Sequence, residues 1–213
     1  MEQKVTALKV QKRNPHRVNV YLDGEFSFGL SRVTAAWLEI GQVIDQNKIS
    51  ELQTADEHEV AYQKALNFLS YRPRSEKEIL DKLRKHEFLD KVAHDTLQRL
   101  KQNHLVNDLD FARIWVENRS AFRPRGRRAL TLELRQKGIT GEVIDEVLQD
   151  LDEDELAYQA ALKQVRKYHG MDWKAYRQKM VAFLARRGFN YGVAAPITKR
   201  VWAEHFDQPD LQN

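Results

Sequence analysis

A repeat with a period of about fifty residues constrains this chain more than any other feature. Three segments share one spine: Leu83-Arg-Lys-His-Glu-Phe88, Leu134-Arg-Gln-Lys-Gly-Ile139 and Leu184-Ala-Arg-Arg-Gly-Phe189. Val92, Val143 and Val193 follow at one fixed distance from the leading leucines, and Leu100, Leu151 and Val201 at a second. Upstream, Ala61-Tyr62-Gln63 and Ala65-Leu66 recur as Ala157-Tyr158-Gln159 and Ala161-Leu162. One helical unit has been used three times. Stacked helical units present extended surfaces to macromolecules and offer few enclosed pockets for a small substrate, so the pattern favours a binding protein over an enzyme.

Composition agrees with an array of that kind. The 42% hydrophobic content is enough for a core, while 31% charged residues and a mean hydropathy of −0.66 require a large solvated surface. A net charge of +4 permits nucleic acid as a partner without demanding it. With no cysteine there is no disulfide or thiolate chemistry. Met1-Glu2-Gln3-Lys4 leads into no apolar signal core, and no apolar run approaches the ~20 residues of a membrane span. The expected location is the cytoplasm, with no membrane contact.

Residues 1–30 read as strands. Val5, Leu8 and Val10 mark one, and Val18, Val20 and Leu22 alternate with polar neighbours along a second. Asp23-Gly24 signals a type I′ hairpin, which needs positive φ at both positions, and Phe26, Phe28 and Leu30 alternate on the return strand. A three-stranded sheet is expected, then a short helix capped by Ser31 and a brief helix near 46–52. The rest is helical. Thr54 with Glu57 predicts a capping box opening a helix to about residue 71, and Ser75 with Glu78 a second one opening a helix to about residue 86. Further helices are expected near 91–102, 109–122, 127–137, 142–151, 155–169, 173–187 and 192–205. Gly138 and Gly188 stand where a helix closes through a left-handed residue. The first unit has Glu87 there, so its second helix is expected to end differently. The fold class is therefore mainly α: three tandem three-helix repeats in an elongated, gently curved array, preceded by a small N-terminal hairpin or three-stranded subdomain. The expected divisions are an N-terminal cap over 1–53, repeats over 54–108, 109–154 and 155–206, and a frayed tail over 207–213.

Catalysis finds little support. The seven histidines form no HExxH pair, and no phosphate loop, dinucleotide turn or nucleophile elbow occurs. No catalytic residue, cofactor or metal ligand is assigned. Asp150, Asp152, Glu153, Asp154 and Glu155 make an acidic cluster, read first as a solvated turn whose acids favour the next helix N-terminus rather than as a Mg²⁺ site.

The basic residues are more informative. Arg119, Arg123, Arg125, Arg127 and Arg128 crowd around Pro124 and Gly126. Arg72 and Arg74 occupy the equivalent turn of the first unit, and Lys174 and Arg177 lie in the third. Repetition would set these patches in a discontinuous stripe suited to a phosphate backbone or to an acidic protein surface. For any single cation a solvated face is the default reading, and for the five-arginine cluster both readings stay open. Arg119 shares a helical face with Phe111, Trp115 and Phe122, which favours packing against Trp115 and a bond to a neighbouring helix end. Trp37, Trp115, Trp173 and Trp202 sit at helical positions and read as core rather than as base-stacking platforms.

The segment Arg74-Ser-Glu-Lys-Glu-Ile-Leu-Asp-Lys-Leu-Arg-Lys-His-Glu-Phe88, with Asn107-Asp108 and Phe111-Ala-Arg-Ile-Trp-Val-Glu-Asn-Arg119, resembles the first-repeat signature of the bacterial RecX regulatory family. The stretch from Gly126 to Ile139 looks like the family's second repeat, and Tyr21-Leu-Asp-Gly-Glu-Phe26 is similar to its N-terminal hairpin. The resemblance covers nearly the whole chain. It implies tandem three-helix units and a partner, the RecA recombinase filament on single-stranded DNA. It also implies a regulatory role in recombination and the SOS response, commonly inhibition of strand exchange, ATP hydrolysis and co-protease activity. Some members are thought to bind DNA, so single- or double-stranded DNA is a further expected partner; the chain itself is expected to be a monomer. The competing reading is a general DNA-binding protein that takes the strand without touching a recombinase.

Overall fold

The computed structural model describes residues 2–206, so the tail expected over 207–213 lies outside the described residues. The chain divides between Val106 and Asn107 into two compact units. The first opens with β1 (Gln3–Val10), β2 (Arg17–Leu22) and β3 (Glu25–Ser31), followed by α1 (Arg32–Ala35) and β4 (Val43–Ile44). The Asp23-Gly24 turn has φ of 49° and 95°, as a type I′ hairpin requires. The sheet has four antiparallel strands in the order β3-β2-β1-β4, not three, because Gln3 and Lys4 pair with Ile44 and Val43. Val5, Val20, Leu22 and Leu30 form its buried face.

That face is closed by α2 (Gln46–Leu69), one helix where two were expected. Its true N-cap is Asp45, whose carboxylate accepts the Lys48 amide at 2.8 Å. Thr54 caps nothing: its hydroxyl donates back to the Ser50 carbonyl inside the helix. Continuity follows from burial, since Ile49 and Leu52 pack under the sheet and Ala61, Tyr62 and Ala65 into the next core. Buried Asp56 ties the two together, accepting from the Ser31 amide and from Arg17 Nη2 at 3.0 Å.

Three three-helix domains follow. The first joins α2 to α3 (Glu76–Lys85) and α4 (Asp90–Gln102). The second is α5 (Asp108–Phe122), α6 (Arg127–Gln136) and α7 (Gly141–Leu148). The third is α8 (Glu153–Leu162), α10 (Trp173–Arg186) and α11 (Tyr191–His205), with the short α9 (Val165–Tyr168) inserted where a continuous helix was expected. Each has its own core, and the spine residues Leu83, Leu134 and Leu184 are fully buried in them. Leu151 packs against both the second and third cores.

The repeated ends of α3, α6 and α10 are one structure. Phe88, Ile139 and Phe189 each donate their amide to the spine leucine carbonyl, and the preceding residue bonds the following carbonyl, a Schellman closure. Gly138 and Gly188 take φ of 85° and 91°. Glu87 does the same at 63°, so the first unit does not end differently; it accepts left-handed backbone strain in a non-glycine residue. Among the tryptophans, Trp37 is 79% exposed and Trp173 38% exposed, so neither is core, while Trp115 and Trp202 pack against the second and third cores.

Candidate binding surface at the arginine turns

The α2–α3 turn carries Arg72-Pro73-Arg74. Proline ends the helix approach, and Ser75 with Glu78 forms the full capping box of α3. Glu78 also receives Arg72 in a two-pronged pair at 2.9 and 3.1 Å. Arg74 sits over the Phe68 ring, 3.8 Å from its centroid, and donates to the Phe68 carbonyl. Lys82 approaches the same ring at 5.3 Å. Burial and then the neighbouring Arg72 charge hold Arg74 below the ordinary arginine pKa. Both guanidiniums of this turn are committed to local partners.

The α5–α6 turn carries the same Arg123-Pro124-Arg125 but a different surrounding. Glu133 on α6 is its centre. One carboxylate oxygen accepts from Trp115 Nε1 at 2.8 Å and Arg119 Nε at 2.7 Å, and the other lies 2.8 Å from Arg125 Nε, whose N–H is not aligned for a hydrogen bond. Arg119 also stacks over Trp115 at 4.5 Å, so it packs on that ring as expected and reaches the facing helix.

Gly126, the α6 N-cap, meets the end of α10 backbone to backbone. Its amide donates to the Arg187 carbonyl at 3.0 Å, and a Cβ on it would lie 2.5 Å from the Gly188 oxygen. A Cβ on Gly188 would lie 2.4 Å from that of Ala129. This crossing brings Arg187 into the turn. Its pKa is lowered by burial first, then by the charges of Arg125 and Arg123. Arg127 is used internally: its backbone amide donates to Glu153 at 2.9 Å, and its guanidinium to the Leu148 carbonyl at the end of α7.

Of the eight cations singled out in the sequence, Arg72, Arg74, Arg125 and Arg127 therefore hold local structure. Arg177 donates to the Tyr191 hydroxyl at 2.9 Å. Arg123, Arg128 and Lys174 are exposed and, among the described residues, have no hydrogen-bonding or ion-pairing side-chain partner. The structure brings Arg123, Arg125, Arg127 and Arg128 together with Arg187, which sequence reasoning passed over. The paired arginines of Leu184-Ala-Arg-Arg-Gly-Phe189 are visible as part of the spine, but only the glycine crossing places Arg187 here. Within the acidic cluster, Asp152 caps α8 by accepting the Glu155 amide, and Glu153 faces Arg127. Among the described residues, no group of three or more His, Asp or Glu side chains is placed to hold a metal ion, and no helix is long and apolar enough to cross a membrane.

Comparison with known proteins matches this architecture along its length. The regulatory protein RecX N-terminal domain matches residues 3–45. The first, second and third three-helix domains of RecX match residues 61–100, 107–148 and 152–195. The chain is 32% identical to regulatory protein RecX of Listeria monocytogenes serotype 4b over 90% of its own length and 73% of that protein's. It is 30% identical to regulatory protein RecX of Bacillus velezensis, over 98% and 81%. A crystal structure of regulatory protein RecX aligns with a TM-score of 0.73 and 29% identity, covering 92% of this chain and 99% of the other. RecX from Lactobacillus salivarius aligns at 0.61 with 26% identity, over 69% and 97%. With all four domains matched in order and relatives of this similarity aligned over most of both chains, the protein belongs to the RecX family of regulatory proteins.

Proposed function

We propose that this protein binds RecA recombinase filaments on single-stranded DNA and restrains them, lowering strand exchange, ATP hydrolysis and co-protease activity. It acts in the cytoplasm, by occupying a macromolecular surface rather than by catalysis. The observation that carries the reading is the turn over residues 123–128. It is a glycine-crossed platform on which Arg123 and Arg128 project without a side-chain partner among the described residues, while Arg125 and Arg127 hold the platform in place. Unpaired guanidiniums on an ordered backbone meet carboxylates or phosphates with little loss of side-chain freedom beyond their own.

The division of labour selects the variant. Reversing all four arginines of the turn would break the Glu133 and Leu148 contacts and confuse loss of partner with loss of fold. Arg123→Glu with Arg128→Glu leaves those contacts intact. The direct test is ATP hydrolysis by preformed RecA filaments on saturating single-stranded DNA, with this protein titrated from sub-stoichiometric amounts. A fall well before the protein could cover the DNA supports action on the filament. A fall only near saturation supports the second reading, competition for the strand, which the same unpaired cations favour and which carries a steep salt dependence. No change at any ratio contradicts both.

A further inference from the structure

Beside the arginine turn lies an open cleft of about 550 Å³, whose lining includes Arg127, Arg128, Thr131, Arg135 and Glu153. Arg128, Thr131 and Arg135 recur at three- and four-residue steps and so share one face of α6. The loop between α10 and α11 supplies Gly188 and Asn190 on another side. Arg128 and Arg135 are exposed and, among the described residues, neither guanidinium has a hydrogen-bond or ion-pair partner. Three arginines thus line one cleft with a single acid, Glu153. That acid already holds the Arg127 amide at 2.9 Å.

We propose that this cleft is a phosphate-binding site and that Glu153 is its built-in competitor. Arg128 and Arg135 would take the phosphate oxygens, for which the guanidinium fork is suited, and Thr131 lies between them on the same face. The Glu153 carboxylate puts negative charge in the same cleft and lowers its affinity for any anion. Neutralising Glu153 while keeping its shape should therefore strengthen binding, the reverse of what a merely structural acid would do. Within the acidic cluster the two tasks are then divided: Asp152 caps α8 and Glu153 tempers the arginine cleft. The site needs no recombinase, so it stands or falls separately from the filament reading.

The phosphate could belong to a nucleic-acid backbone or to a free phosphate compound, and two probes separate these sources. One is a fluorescently labelled single-stranded oligonucleotide followed by anisotropy across a salt series; the other is inorganic pyrophosphate, followed by its effect on the melting temperature. Arg128→Ala with Arg135→Ala should leave the fold intact, since both side chains are exposed. If the ligand is a strand, this variant lowers the salt slope of oligonucleotide binding by about 1.4, the value for two lost phosphate contacts on a single strand. If it is a free phosphate compound, pyrophosphate raises the wild-type melting temperature and the variant abolishes that rise. Glu153→Gln should tighten whichever probe binds by about threefold or more, as removal of one opposing charge at close range predicts. Wild-type binding of both probes unchanged in the double arginine variant would overturn the proposal, as would binding of neither. A folded Glu153→Gln that binds its probe no more tightly than wild type would remove the competitor. Should that variant melt early, Glu153→Ala measured well below its melting temperature serves the same comparison.

Discussion

The two Arg-Pro-Arg turns are one sequence device in two settings, and the difference lies in what each must pack against. Fifty-one residues separate them, from Leu83 to Leu134. In the first turn the positions after proline hold Ser75 and Glu78, which cap α3 and absorb Arg72. In the second the same positions hold Gly126 and Ala129: the end of α10 leaves no room for a side chain at Gly126, and Ala129 lies against Gly188. The capping acid is lost with the space, and Arg123 loses the partner that Arg72 keeps. The anchoring of the second arginine is exchanged as well. Phe68 holds Arg74 and Lys82 through its ring, whereas at the corresponding positions Arg119 and Glu133 form a charged pair that receives Arg125. A shared buried spine thus fixes the unit, while neighbour packing decides whether a turn satisfies its own cations or leaves them for a partner.

The largest expected effect is at the crossing that creates this difference. Gly188→Ala adds a side chain into Ala129 at a residue with φ of 91°, and should destabilise the chain by about 3 kcal/mol in urea unfolding. Little change there would mean that the crossing does not enforce the loss of the capping acid. Next, Glu133→Ala leaves Trp115 Nε1 and the Arg119 guanidinium without their acceptor and Arg125 without its ion-pair partner, and should cost about 2 kcal/mol. A loss under half of that would show the turn to be held mainly by backbone packing. Smaller and of opposite sign, Glu87→Gly relieves the left-handed backbone at φ 63° and should stabilise by about 0.5–1 kcal/mol, bringing the first repeat to the chemistry of the other two.

The smallest effect concerns pH. The charge of Lys64, then desolvation, then the charges of Lys82 and Lys85 hold the exposed His86 below its ordinary pKa of 6.5. The folded state then resists protonation more than the unfolded chain does. Stability from this source is present above pH 6.5 and is lost as pH falls through the lower folded value. Melting temperatures measured from neutral to mildly acidic pH should show a shallower decline for His86→Gln than for wild type, and equal slopes would contradict the assignment.

Features set by neighbours along the chain are legible in the sequence alone. The Asp23-Gly24 hairpin, the Ser75 and Glu78 capping box and the glycine closures each depend on a few adjacent residues. Features set by distant residues are not. The two-residue strand Val43–Ile44 exists only because β1 offers it a partner. Thr54 and Glu57 look like a helix start, but Ile49 and Leu52 are already buried beneath the sheet and carry the helix through them. Glu87 departs from expectation because glycine is favoured but not required in a left-handed closure. At the candidate site the cluster of arginines can be read from their spacing. Which of them are occupied cannot, since Glu133, Leu148, Glu153 and Arg187 reach them from other parts of the fold.

We propose that the unpaired arginines act on the RecA filament and that the paired ones serve the fold. The most direct measurement titrates wild type, Arg123→Glu with Arg128→Glu, and Arg72→Gln against ATP hydrolysis by preformed RecA filaments. The double variant, folded and within about 0.5 kcal/mol of wild-type stability, should no longer inhibit, while Arg72→Gln should inhibit as wild type does. Inhibition by the double variant at wild-type ratios would contradict that proposal.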